Sequence, residues 1–234
     1  MRTGVRGIVV AAAMVAALAG CGGGGGTDPA GGAAGATGAP GATGAPGATD
    51  GAGAGGKEQS QPASLDATGL LKALPVSAEF TDGTYTGGDP EVVPEADAAK
   101  FCADNLEGVD CAGVKSGSIK DLVLAGNSSD DQATFTLYTF GTEAEATAVL
   151  KAVEKKRQAP QGEGGPFTPV KVESGGADES FAVERDDYVG VYMRVGTVVS
   201  YVSTGDFGRE RAERAAQVQI GRLKLVLGGG DPDA

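Results

Sequence analysis

The spacing of hydrophobic positions changes several times along this chain, and each change marks an element. Ile8 to Leu18 is an unbroken apolar run, whereas residues 22 to 63 carry almost no large apolar side chain. From Ser64 onward the apolar residues fall at helix and strand spacing. Leu65 to Leu74 reads as a short helix stopped by Pro75, and Asp97 to Leu106 as another opening on an Asp cap. Ile119 to Leu124 and Ala133 to Phe140 read as strands divided by the turn-rich Gly126 to Asp131. Thr142 then opens a helix with Glu145 three residues on, a capping box. Its Ala146, Val149, Leu150 and Val153 form one apolar stripe, and Lys151, Lys155, Lys156 and Arg157 crowd the end where the helix dipole favours cations.

Further strands are predicted near Val170 to Glu173, over Glu179 to Arg185, Tyr188 to Val195 and Val198 to Ser203. A last helix follows over Gly208 to Leu227, with Ala212, Ala216, Ile220, Leu223 and Leu227 on one side. Neighbouring strands with helices between them and at both ends predict an α+β domain over 64–228. Its antiparallel sheet of about five or six strands is packed by helices. Gly196-Thr197 fits a two-residue hairpin turn. That register sets Val195 against Val198, Met193 against Ser200 and Val191 against Val202 on an aliphatic face. The other face then pairs Tyr192 with Tyr201 and Arg194 with Val199, and carries Tyr188 further along. A two-residue Asp186-Asp187 turn in the preceding hairpin would add Phe181 and Val183 to the tyrosine face. A bulge returning both to the aliphatic side is the expectation.

The leader explains the first apolar run. Arg2 and Arg6 precede it and no acid appears before Asp28. Eleven residues span about 16 Å as a helix, half a bilayer core, which suits a signal peptide rather than a membrane span. Leu18-Ala19-Gly20-Cys21 follows, and it resembles the lipobox of bacterial lipoprotein precursors. The resemblance implies that the Cys21 sulfur receives a diacylglyceryl group, that a peptidase removes residues 1–20, and that the lipid holds the protein at the outer face of the cell membrane. A secretory signal with an incidental cysteine is the alternative.

Residues 21–63 then read as a disordered tether of Gly, Ala, Thr and Pro, with a reach of about 35 Å. Glycine falls at every third position from Gly32 to Gly47, a collagen-like period, but six triplets with Pro40 and Pro46 are too few to hold three chains together. Residues 229–234 read as a disordered tail.

Charge and cysteine content narrow the functions. Without the leader, 17 basic face 31 acidic residues, a net charge of −14. This argues against nucleic acid and against lying flat on anionic lipid. Glu79 to Asp110 holds nine acids and only Lys100 among the bases. It reads as a solvated loop region, since Asp82, Asp89, Glu91, Glu95 and Asp97 match no calcium-loop spacing. With Cys21 lipidated, Cys102 and Cys111 are an even pair in an exported domain, which reads as a disulfide. A two-cysteine metal site would need carboxylates, because the chain has no histidine.

The same lack excludes Ser-His-Asp and Cys-His nucleophiles. No serine has a lysine three residues later, and neither a Gly-x-Ser-x-Gly elbow nor a phosphate loop occurs in the folded part. No cofactor and no metal is expected, and the chain is not expected to be an enzyme. A carboxylate-based hydrolase would need two buried acids facing one cleft.

The leader, tether and cysteine-paired head together resemble the small exported lipoproteins of actinobacteria. The stretches ATFTLYTFGTEAEATAVLKAVEK and DYVGVYMRVGTVVSYV resemble sensor-like extracellular domains in that group, including those of membrane serine/threonine kinases. Those often carry a second disulfide, which this chain cannot make. The resemblance implies ligand or partner binding outside the cell. An envelope accessory or inhibitor protein docking through its sheet is the alternative. The candidate surface comes from the hairpin register: a face of Tyr188, Tyr192, Arg194 and Tyr201 could bind a sugar, a peptide or a partner loop. The other reading of that face is an ordinary solvated sheet face or one tucked beneath a helix. A monomer is expected.

Overall fold

One long strand organises half of the sheet. β3 (Val114–Leu124) carries two separate three-residue strands on one edge, β1 (Tyr85–Gly87) and β2 (Glu91–Val93). Its other edge pairs with β4 (Gln132–Phe140). The sheet continues through β8 (Val198–Thr204), β7 (Tyr188–Val195), β6 (Glu179–Arg185) and β5 (Thr168–Val170), antiparallel throughout. The computed structural model describes residues 64–80, 85–124, 132–160, 166–205 and 208–234, which fall within one compact unit. The leader, Cys21 and the tether lie outside the described residues.

The architecture is the expected α+β domain, with eight strands rather than five or six. The added strands β1 and β2 lie in the acid-rich stretch that reads as loop. Three residues are too few to display alternation, and their pairing is set by the neighbouring β3. β5 also falls earlier than expected, at Thr168–Val170, where it pairs with Ala182 to Glu184.

Helices cover both faces. α1 (Ala67–Ala73) and α4 (Gly208–Leu227) lie on one face, where Leu70, Ala216, Ile220 and Leu223 meet Phe135, Leu137, Val191, Met193 and Val202. α2 (Glu95–Asn105) and α3 (Glu143–Gln158) lie on the other, where Cys102, Leu106, Val149, Leu150 and Val153 meet Tyr138, Phe140, Tyr192 and Val199. Side chains alternate across a strand, so two covered faces leave β4, β7 and β8 buried along nearly their whole length.

The caps follow local chemistry. The Asp66 carboxylate accepts the Gly69 N–H at 2.8 Å to start α1. Thr142 caps α3, its hydroxyl oxygen accepting the Glu145 N–H at 3.2 Å while its O–H reaches the Glu145 carboxylate. α2 begins at Glu95 behind Pro94, two residues before the expected Asp97 cap. Pro94 is already fixed in the extended conformation before a helix, and both acids then sit in the first turn.

Cys102 of α2 and Cys111, just before β3, form a disulfide inside the second core. With the linked positions nine apart in sequence, loop-closure entropy is worth about 2.6 kcal/mol. Residues 229–234, read as a tail, are held at the α1–α4 end. Asp231 meets Lys72 at 2.8 Å and Asp233 meets Arg222 at 2.9 Å, and the buried Arg222 also reaches Glu79 at 3.2 Å.

The β7–β8 hairpin has the register read from its turn, including Tyr192 opposite Tyr201, and Gly196 takes the left-handed φ of 56° that the turn requires. The β6–β7 hairpin does not contain the expected bulge. Its register runs unbroken from Arg185–Tyr188 to Glu179–Arg194, through Asp186 at a φ of 54°. Phe181 and Val183 therefore stand on the tyrosine face. That face is covered by α3, so apolar residues belong on it as much as on the other.

Candidate ligand cleft

Three successive rows of side chains cross the α3-covered face. The first is Thr136, Tyr201, Tyr192 and Phe181, one from each of β4, β8, β7 and β6. Its rings stack: Phe181 on Tyr192 at 4.6 Å between centroids and 6° between planes, and Tyr192 on Tyr201 at 4.6 Å and 12°. The second row is Thr134, Ser203, Gly190 and Val183, where small side chains leave a depression beside the ring ladder. The third row sets Tyr188 against Arg185.

The depression is open because α3 stops short of it. Sixteen helical residues cover about 24 Å, and the last of its inward-facing side chains is Arg157. Beyond that point a cleft of about 590 Å³ lies at this end of the sheet, with Arg157, Phe167, Arg185, Tyr188, Tyr201 and Ser203 in its walls. That size suits a small organic molecule. Asp186 and Asp187 also line it and are solvent-exposed.

Gly190 shapes the wall. A Cβ at this position would lie 2.7 Å from the Tyr188 hydroxyl and 3.1 Å from its ring. Without one, the Tyr188 ring folds back along β7 and its hydroxyl hydrogen-bonds that of Tyr201. Burial holds the Tyr188 phenol well above its ordinary pKa, so it remains neutral and keeps its proton at physiological pH. Whichever of the two hydroxyls donates to the other, the acceptor's own proton takes no part in that bond.

Two guanidinium groups complete the walls. Arg157 sits 4.7 Å from the Phe167 centroid, 5.6 Å from that of Tyr192 and 5.9 Å from that of Tyr188. Its Nη1 donates to Glu107 at 2.5 Å, while its buried Nε has no hydrogen-bond partner. Arg185 lies 4.2 Å from the same Phe167 ring. Among the described residues, no carboxylate pairs with Arg185.

The tyrosine surface expected from the sequence thus divides. Tyr188 and Tyr201 line the cleft. Tyr192 is fully buried in the ladder and does not reach it. Arg194 is also buried, and its donors are all directed at the hairpin. It meets Glu179 at 3.1 Å, Asp178 at 3.2 Å and the Gly196 carbonyl at 2.8 Å, tying the β7–β8 turn to Asp178 and the first residue of β6.

Sequence reading missed Arg157, Phe167 and Arg185. Arg157 reads as one of four cations at a helix end, and only the phase of the helix (four residues after Val153) marks it as inward-facing. Arg185 falls on the tyrosine face once the bulge is removed. Phe167 sits in a Gly/Pro-rich segment with no periodicity to read.

Elsewhere the acid-rich region shows ordinary surface pairing, with Glu95 at 3.0 Å from Lys115. Among the described residues no cluster of three metal-ligating side chains occurs, and no helix is long and apolar enough to cross a membrane. Asp82 lies outside the described residues.

No family model matches this chain, and neither does any curated protein. Solved structures similar to it include two mycobacterial proteins. One is the extracellular domain of PknH from Mycobacterium tuberculosis, at 12% identity and a TM-score of 0.49, over 70% of this chain and 98% of that one. The other is an uncharacterised protein from Mycobacterium smegmatis, the Rv0999 ortholog, at 9% identity and a TM-score of 0.39, over 66% of this chain and 96% of that one.

Proposed function

We propose that this protein is a non-catalytic binding module, lipid-anchored through Cys21 at the outer face of the cell membrane, whose ligand site is the cleft beyond the end of α3. The cleft carries the reading. It joins an aromatic wall to a few inward polar groups, which is the usual make-up of a small-molecule site. The Cys102–Cys111 disulfide fits an oxidising compartment, and Leu18-Ala19-Gly20-Cys21 supplies the anchor. Support for a non-catalytic role comes from the carboxylates. No Asp or Glu is buried among the described residues, and the two at the cleft stand exposed in a turn. Docking through a sheet face has less support, since helices cover both faces.

The test uses the full chain expressed in an actinobacterial host. The N-terminal peptide is expected to begin at an acylated Cys21, and Cys21→Ala is expected to leave the membrane fraction. Small-molecule extracts of the envelope should raise the melting temperature of the native chain but not that of Ser203→Trp, which fills the cleft. An unacylated chain with its start methionine refutes the anchor. Equal shifts in both forms refute the site.

A further inference from the structure

The composition of the cleft walls specifies more than the presence of a ligand. Arg185 and Arg157 both stack on Phe167, at 4.2 and 4.7 Å. The ring holds two like charges close together in a chain whose overall charge is strongly negative. Neither guanidinium is saturated. The Arg185 guanidinium makes no hydrogen bond to a described residue, and Arg157 directs a single donor at Glu107. The neighbouring hydroxyls add to this. The Tyr188–Tyr201 pair has one O–H that its own bond does not use, and Ser203 lines the same space with no described partner for its hydroxyl.

The site is therefore rich in donors. The Asp186 and Asp187 carboxylates also line the cleft, but both are solvent-exposed and neither forms an ion pair with Arg185. Water and salt screen exposed charges within about 10 Å, whereas charges inside the cleft act at lower dielectric. A planar guanidinium fork matches a carboxylate or phosphate two bonds at a time. We infer that the cleft binds the anionic group of a small solute, a carboxylate or a phosphate, between Arg185, Arg157 and the Tyr188–Tyr201 hydroxyl pair. The ring ladder takes the remainder of the ligand. This rests on the reading of the cleft as a ligand site and adds the charge of what it holds.

The experiment is calorimetric titration of the full chain in detergent, at constant ionic strength, with three probes: inorganic phosphate, acetate and uncharged glucose. Phosphate, acetate or both should bind saturably, and the stronger of the two identifies the anion class. Arg185→Gln should weaken that binding about tenfold or more, as losing a charge-assisted hydrogen bond implies. Lys151→Gln removes the same charge from the exposed side of α3 and should leave binding unchanged.

Failure of both anions to saturate the native chain, or equal anion affinity in Arg185→Gln, overturns the inference. Saturable glucose binding that Ser203→Trp abolishes, with no anion binding, would keep the ligand site and discard its charge.

Discussion

Replacing Arg157 by methionine tests the physical basis of the cleft. The change keeps most of the aliphatic stem and removes the guanidinium. The structure gives the loss two parts. The first is stacking on Phe167 at 4.7 Å, with weaker contact to Tyr192 and Tyr188. For a side chain only 7% exposed, this lies toward the desolvated end of the range, about 1–2 kcal/mol. The second is the 2.5 Å pair with Glu107. Breaking a fully buried pair costs about 3–5 kcal/mol, but the Glu107 side chain is 34% exposed and recovers water, which reduces the term to about 1 kcal/mol.

The expected loss is thus about 2–3 kcal/mol, a drop in melting temperature of about 5–10 °C for a domain of this size. Urea unfolding of Arg157→Met, Phe167→Leu and the double variant isolates the stacking part, with an expected coupling of about 1 kcal/mol. Arg157→Lys should recover little, because an ammonium lacks the flat face that stacks. Coupling below about 0.3 kcal/mol, with both single variants destabilised, would refute the reasoning. The guanidinium would then act through its pair with Glu107 and not through stacking.

Three further outcomes follow from the packing. Gly190→Ala places a methyl against the Tyr188 ring and should cost about 1–3 kcal/mol in urea denaturation, breaking the Tyr188–Tyr201 bond. Gly88→Ala, with nothing within 4 Å, should be neutral or slightly stabilising. The buried tyrosines also set an alkaline limit. Burial raises the Tyr138, Tyr188 and Tyr192 phenols above the ordinary value of 10.0. Below that value all three are protonated in both states and their contribution is intact. Above it the unfolded chain releases protons that the native state retains, so stability falls as pH rises. Tyrosinate absorbance followed against pH should show these three ionising together with unfolding; ionisation before any loss of structure would contradict their burial.

Local sequence determined what depends on near neighbours. The helical stripe of α3 and its Thr142 cap stand where periodicity and the Thr142–Glu145 spacing place them. The β7–β8 register follows from Gly196, whose freedom at positive φ fits the two-residue turn. Cys102 and Cys111 are nine positions apart, so their pairing needed only a short loop to close.

The tertiary structure decided what depends on distant partners. β1 and β2 exist because β3 offers them an edge. The Asp186-Asp187 turn needs no bulge because α3 buries the face where Phe181 and Val183 stand, a fact no residue near that turn encodes. The cleft is the clearest case. It appears where α3 ends over a row of small residues from four strands, joining Arg157, Phe167 and Arg185 from three separate segments. Periodicity records whether a position faces inward. Which inward faces then meet, and where the covering helix stops, is set by long-range packing.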